Sequence, residues 1–199
     1  SERTAMTVTV NPAPSTPSVT TPVTYCQNAI ASALSATPSA GNSLLWYTVA
    51  SGGTGNSTAI TPSTAATGNT NYYVSQVSGT NSCESQRATI AVTVNATPAA
   101  PTATTPVTYC QDASSSPLTA TGTNLAWFDA PTGGTSLGAS PTPSTGTSGT
   151  TNYYVSQTVN GCESAKHGIT ASVVAGTEDF GLAGLVAYPN PATDVLTIT

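Results

Sequence analysis

The chain has 199 residues, of which only 6% are charged, and its eight acids against three bases give a formal net charge of −5. That balance lacks the basic footprint that nucleic acids and anionic membranes require. No apolar run reaches the ~18 residues of a membrane span, so partners of both kinds and a spanning helix are excluded from the expectation.

A typical soluble domain is roughly 25% charged, and a chain this poor in charge is either disordered or folded with polar, uncharged faces. In chain order, residues 1–11 (SERTAMTVTVN) alternate Met6, Val8 and Val10 with polar residues, the period of a strand with one face in a core. Tyr25, Cys26 and Gln27 follow, and then Leu34 and Ala36 in a short alternating stretch. Leu44 and Trp46 form the next alternating pair, before a Gly-rich SGGTG turn and TPST. Asn71 to Gln76 reads NYYVSQ, a strong strand composition, and leads through a turn to Cys83-Glu84-Ser85 and the alternating Ile90, Val92 and Val94.

The same landmarks then return in the same order. Tyr109, Cys110 and Gln111 repeat the YCQ at an offset of 84, Trp127 and NYYVSQ (Asn152 to Gln157) repeat at 81, and Cys162-Glu163-Ser164 at 79. Ser1 to Cys26 also aligns without a gap on Ser85 to Cys110. A repeat of this length is a whole small domain. The expected organisation is therefore the last strand of a preceding, truncated repeat over 1–11, repeat one over 12–95, repeat two over 96–175, a linker over 176–185 and a different element over 186–199. With no initiator Met and no signal peptide, the chain reads as the C-terminal part of a longer protein.

No apolar i, i+3, i+4 stripe of any length occurs, while short strands recur about every ten residues. The predicted fold class is all-β, as tandem immunoglobulin-like β-sandwiches, with Trp46 and Trp127 in the cores. Length differs between copies at ATPSAGNS against ATGTN and at VSGTNS against TVNG, so both places are predicted loops, at one end of the sandwich.

The cysteines come two per repeat, 57 and 52 residues apart, without the close spacing of a metal site. One disulfide per repeat, Cys26 with Cys83 and Cys110 with Cys162, is the economical pairing, near one end of each sandwich; buried free thiols are the alternative. Disulfides imply an oxidising compartment, outside the cytoplasm.

The pattern YCxxA, L(S/T)AT, L(L/A)W(Y/F), (S/T)GGT, TPST, TNYYVSQ, CES resembles the immunoglobulin-like modules of large secreted surface proteins of gliding and polysaccharide-degrading Gram-negative bacteria. VAYPNPATDVLTIT, from Val186, resembles the opening of the type A C-terminal sorting domain of type IX secretion cargo. That resemblance implies the type IX secretion machinery as a partner and outer-surface delivery; only the domain's first strand is present.

Catalysis needs a nucleophile with a base, paired carboxylates or a metal cluster. His167, the sole histidine, stands where the other repeat has Ala88, and reads as a solvent-facing strand residue. Glu84 and Glu163 recur but have no partner in the pattern. No calcium loop and no phosphate-binding Gly-rich loop with Lys is found. The expectation is no enzyme, no cofactor and no metal. Aromatics form the one candidate ligand surface: Tyr47 and Phe128 beside the tryptophans, with Tyr73 and Tyr154, stacking on surface glycans or simply packing across the strands. The expected function is a non-catalytic spacer or adhesion array on a type IX-secreted surface protein. The alternatives are accessory modules of a secreted polysaccharide hydrolase and subunits of a filament formed with other copies of the protein.

Overall fold

The computed structural model describes residues 2–175. Among these the regular structure is all strand: β1 (Ser18–Val19), β2 (Val23–Cys26), β3 (Ala36–Thr37), β4 (Asn42–Tyr47), β5 (Gly68–Ser78) and β6 (Ala88–Asn95) form the first module. The second contains β7 (Val107–Cys110), β8 (Leu125–Phe128), β9 (Gly149–Val159), β10 (Cys162–Glu163) and β11 (His167–Val174). The YPNPATD segment lies outside the described residues.

Each module is a two-layer β-sandwich. One layer is the sheet β2-β6-β5-β4, matched in the second module by β7-β11-β9-β8. The other layer is shorter: β1 pairs with β3, and Leu34 N–H donates to the carbonyl of Ile60, bringing in a third extended segment. The second module repeats this layer with a Thr102–Thr121 bridge and a Leu118-to-Pro141 bond. The chain changes layer at the cis peptides Thr21-Pro22 and Thr105-Pro106. There the threonine hydroxyls accept the N–H groups of Ala91 and Thr170 at 3.0 Å, which explains the repeated TTP.

The period-two pattern has its expected physical result. Trp46 lies opposite Val74, and both point inward with Ile90, Val92 and Leu34 into one core; Trp127, Val155, Ile169 and Leu118 form the other. The two length-variable loops touch, since Gly79 N–H donates to the carbonyl of Gly41 and Thr158 N–H to that of Thr123.

Residues 2–11 form no strand, and Met6, Val8 and Val10 are 89%, 77% and 87% exposed. Their counterparts in β6 lie between β5 and β2, and a strand without such neighbours has no ladder to hold it. Two sequence expectations are corrected, those for His167 and for the disulfides. His167 is not solvent-facing: it shares the inward parity of Ile169 and Ala171, and its Nε2 is buried without a hydrogen-bond partner.

The second correction is the disulfide. Cys26 bonds Cys162 of the other module, with Cα atoms 5.6 Å apart, while Cys83 and Cys110 are free thiols. A bridge within one module is geometrically closed off. Cys26 pairs with Asn95 at the far end of β6, whereas Cys83 precedes the start of that strand. Eight strand residues at roughly 3.4 Å each put about 25 Å between the two, against a disulfide limit of about 7 Å. The bridge instead joins the end of β2 to the β9–β10 hairpin of the next module, where Asn95 Nδ2 also donates to the carbonyl of Asn160 at 3.0 Å.

The bridge spans a sequence separation of 136 residues, and closing so long a loop stabilises the folded chain by about 5 kcal/mol in the chain-entropy model. Cys26→Ser should therefore lower the urea midpoint of unfolding in a way that reductant does not deepen. Cys110→Ser should leave the midpoint within error of the parent chain.

Candidate functional site

The outward face of the main sheet carries the candidate ligand residues, and it is occupied by the module's own side chains. Alternation along β5 sends Tyr72 and Val74 to the core and Tyr73 and Ser75 to the other face, where Tyr47 lies directly opposite Tyr73. Yet Tyr47 is only 4% exposed and Ser75 is fully buried. The cause is a basic side chain from the residue just before β6. The Arg87 guanidinium lies 3.3 Å from the centre of the Tyr47 ring and donates to the carbonyls of Val49 and Gly52 at 2.6 and 2.7 Å.

The second module builds the same clamp with different residues. Lys166 Nζ lies 3.5 Å from the centre of the Phe128 ring and donates to the carbonyls of Ala130 and Gly133. The glycines of the GGT turn fit this role: Gly52, Gly53, Gly133 and Gly134 all have positive φ, and a Cβ on Gly134 would lie 2.6 Å from Asp129 Oδ1. A cation over an aromatic face contributes about 0.5–1 kcal/mol at exposed sites and more when desolvated.

Of the two readings of these aromatics, packing across the strands describes Tyr47 and Phe128. Tyr47 is buried, Phe128 is half-buried, and each has a ring face already held by a cation. Tyr73 and Tyr154 are half-buried beside them, with Tyr73 lining an open hollow with Gly52, Arg87 and Thr89. Sequence reasoning missed Arg87 and Lys166, although a signal was present. The chain has three basic residues, Arg3, Arg87 and Lys166, and all three fall on one repeat position.

The acid of the CES motif has partners after all. Glu84 Oε1 accepts the Tyr47 hydroxyl at 2.6 Å and the Ser75 hydroxyl at 2.5 Å. Glu163 accepts Ser156 at 2.6 Å, and the Phe at 128 leaves it without the second donor. Hydrogen bonds from Ser75 and then Tyr47, with the nearby Arg87 charge adding to them, hold the Glu84 carboxyl below its ordinary range. Burial and the bond to Glu84 push the Tyr47 phenol above its own. Neither group is arranged as an acid–base pair on a cleft: both belong to a closed clamp.

The serine and glutamine finish the seam. Ser85 Oγ accepts Gln76 N–H and Ser164 Oγ accepts Gln157 N–H, each at 3.0 Å. The Gln76 side chain, fully buried, donates to the Ser15 carbonyl and accepts Ser39 N–H. Gln157 makes the matching bonds to Ala99 and Thr123. Among the described residues no three His, Cys, Asp or Glu side chains gather as a metal set, and no helix is long and apolar enough to cross a membrane.

A carboxyl whose folded value is depressed contributes stability above its ordinary value of about 4.3, and loses it as pH falls through the folded value. Melting temperature should therefore drop between about pH 5 and pH 3 by less in Glu84→Gln than in the parent chain. For Tyr47, raised on folding, the sign reverses: its contribution is present below about pH 10 and is lost as pH rises through the folded value, a loss that Tyr47→Phe should remove. Arg87→Ala should cost about 1–2 kcal/mol in denaturant unfolding by releasing the ring and two carbonyls.

The chain is similar in structure to the Sidekick-1 immunoglobulin domains 1–4, with 15% identity and a TM-score of 0.28, over 77% of this chain and 49% of that one. A three-immunoglobulin-domain titin structure matches at 12% identity and a TM-score of 0.34, over 80% and 66%. The N-terminal Ig1-2 module of the Drosophila receptor protein tyrosine phosphatase DLAR matches at 12% and 0.27, over 80% and 96%. The chain thus spans about half the length of the Sidekick-1 structure. No curated protein matches the sequence. The model of the family described as "Ig-like domain CHU_C associated" matches residues 14–96 and again 98–174. The chain belongs to that family of immunoglobulin-like domains, in two tandem copies.

Proposed function

We propose that the chain is a non-catalytic pair of spacer or adhesion modules in a secreted surface protein exported by the type IX route. The observation that carries this reading is the Cys26–Cys162 bridge, which ties one module to the next and leaves the individual sandwiches without an internal disulfide. A bond of that kind sets the distance and orientation of neighbours, which is what a spacer needs, and it belongs to an oxidising compartment. The YPNPATD segment supports export through its resemblance to a sorting domain. The aromatic faces held by Arg87 and Lys166 argue for framework over sugar stacking as the role of Tyr47 and Phe128.

Protease added to intact cells of the source bacterium should remove the modules from immunoblots while a cytoplasmic marker survives. Modules that stay protected, with Cys26 and Cys162 reduced, would overturn the placement. A glycan array probed with the two-module chain should be flat; saturable binding to one polysaccharide class would favour an accessory role in a hydrolase.

A further inference from the structure

The two free thiols occupy defined places in the repeat. Cys83 stands where Cys162 stands, in the hairpin after NYYVSQ, and Cys110 stands where Cys26 stands, at the end of the strand that runs parallel to the last one. The bonded pair therefore combines a strand-end cysteine with the hairpin cysteine of the following module. Cys83 and Cys110 are the complementary halves, a hairpin cysteine and a strand-end cysteine, and they lie at the two outer ends of the pair. They cannot meet within one chain, because the length of both main sheets separates them.

Their settings match those of the bonded cysteines. Gln27 N–H donates to the carbonyl of Asn95 and Gln111 N–H to that of Val174, each at 2.8 Å, so both strand ends are anchored alike. Ser85 N–H and Ser164 N–H donate to the glutamine carbonyls at 2.9 Å, so both hairpins are anchored alike at that point, although the one carrying Cys83 is two residues longer. Cys110 is exposed and Cys83 partly so. One difference is that Val174 replaces Asn95, removing the amide that bonds Asn160 across the seam.

We infer that Cys83 and Cys110 form the same bridge again, to further modules of this kind: Cys110 to the hairpin cysteine of a following module, Cys83 to the strand-end cysteine of a preceding one. A second copy of this chain presents both partners. The contact is head-to-tail, so it propagates in one direction and does not close as a two-fold dimer. The oxidant is a small-molecule disulfide. The Cys110 thiolate attacks it, forming a mixed disulfide and releasing one small thiol. The Cys83 thiolate of the next copy then attacks the Cys110 sulfur and releases the second. Two protein S–H bonds are lost, one S–S bond forms, and the small disulfide leaves as two thiols. The inference stands on the bridge between modules and not on placement at a cell surface.

The test incubates the chain, with Cys26–Cys162 formed, at about millimolar concentration in oxidised and reduced glutathione. Non-reducing gels and peptide mass spectrometry read the products. The parent chain should give a ladder of multimers. Its linked peptides should join Cys83 to Cys110 in at least tenfold excess over like pairs, where random pairing would put only about half in the mixed form. Cys83→Ser and Cys110→Ser should each stay monomeric alone, and an equal mixture of the two should give dimers and nothing larger. Like-pair linkages at the random share, dimers from either variant alone, or a monomeric mixture would each overturn the inference. The peptide ratio in the parent chain needs no variant to fold.

Discussion

The structure depends on the NYYVSQ strand. In each module it is paired on both sides, by the strand carrying the Trp and by the last strand, and each of its side chains has a separate duty. Val74 and Tyr72 pack against the tryptophan core, Ser75 holds the acid of the hairpin, and Gln76 ties in the lead-in segment and the loop before β4. The buried glutamine is stable there because its amide is satisfied on both oxygen and nitrogen; a buried amide left unpaired would cost about 1–3 kcal/mol. This one strand fixes the hairpin, and the hairpin carries the cysteine that reaches the neighbouring module.

The two copies show which parts of the clamp matter. Tyr becomes Phe and Arg becomes Lys, yet a cation still lies on a ring and still bonds two turn carbonyls. The loss of the phenol hydroxyl is local, since Ser156 alone still donates to Glu163. With both bases occupied in this way, each module turns its scarce positive charge inward onto its own backbone.

Much of the fold was legible in the sequence, because period-two alternation around Val92, Trp46 and Tyr72 follows directly from strand geometry. The disulfide was not. Four cysteines allow three pairings, and choosing among them requires knowing which end of a sheet each occupies. That depends on β2 running parallel to β6, a non-local fact that carries Cys26 away from Cys83. The burial of Tyr47 was hidden for a related reason: alternation correctly sends it to the outer face, but cannot say that Arg87, which leads into β6, will cover it. Residues 2–11 carry a strand pattern, but Met6, Val8 and Val10 are exposed and pair with no other strand among the described residues.

The bridge between modules also changes how a pull on the chain would travel. Once β2 and β11 are pulled from their sheets, tension applied beyond the two cysteines passes from residue 26 to residue 162 through sulfur, and the 136-residue loop between them bears none of it. Trp46 and Trp127 both lie inside that loop. At roughly 3.4 Å per residue it holds about 460 Å of contour in reserve, released only when the sulfur bond is cut. Under load the oxidised pair is a short inextensible link, and reduction turns it into a long compliant one.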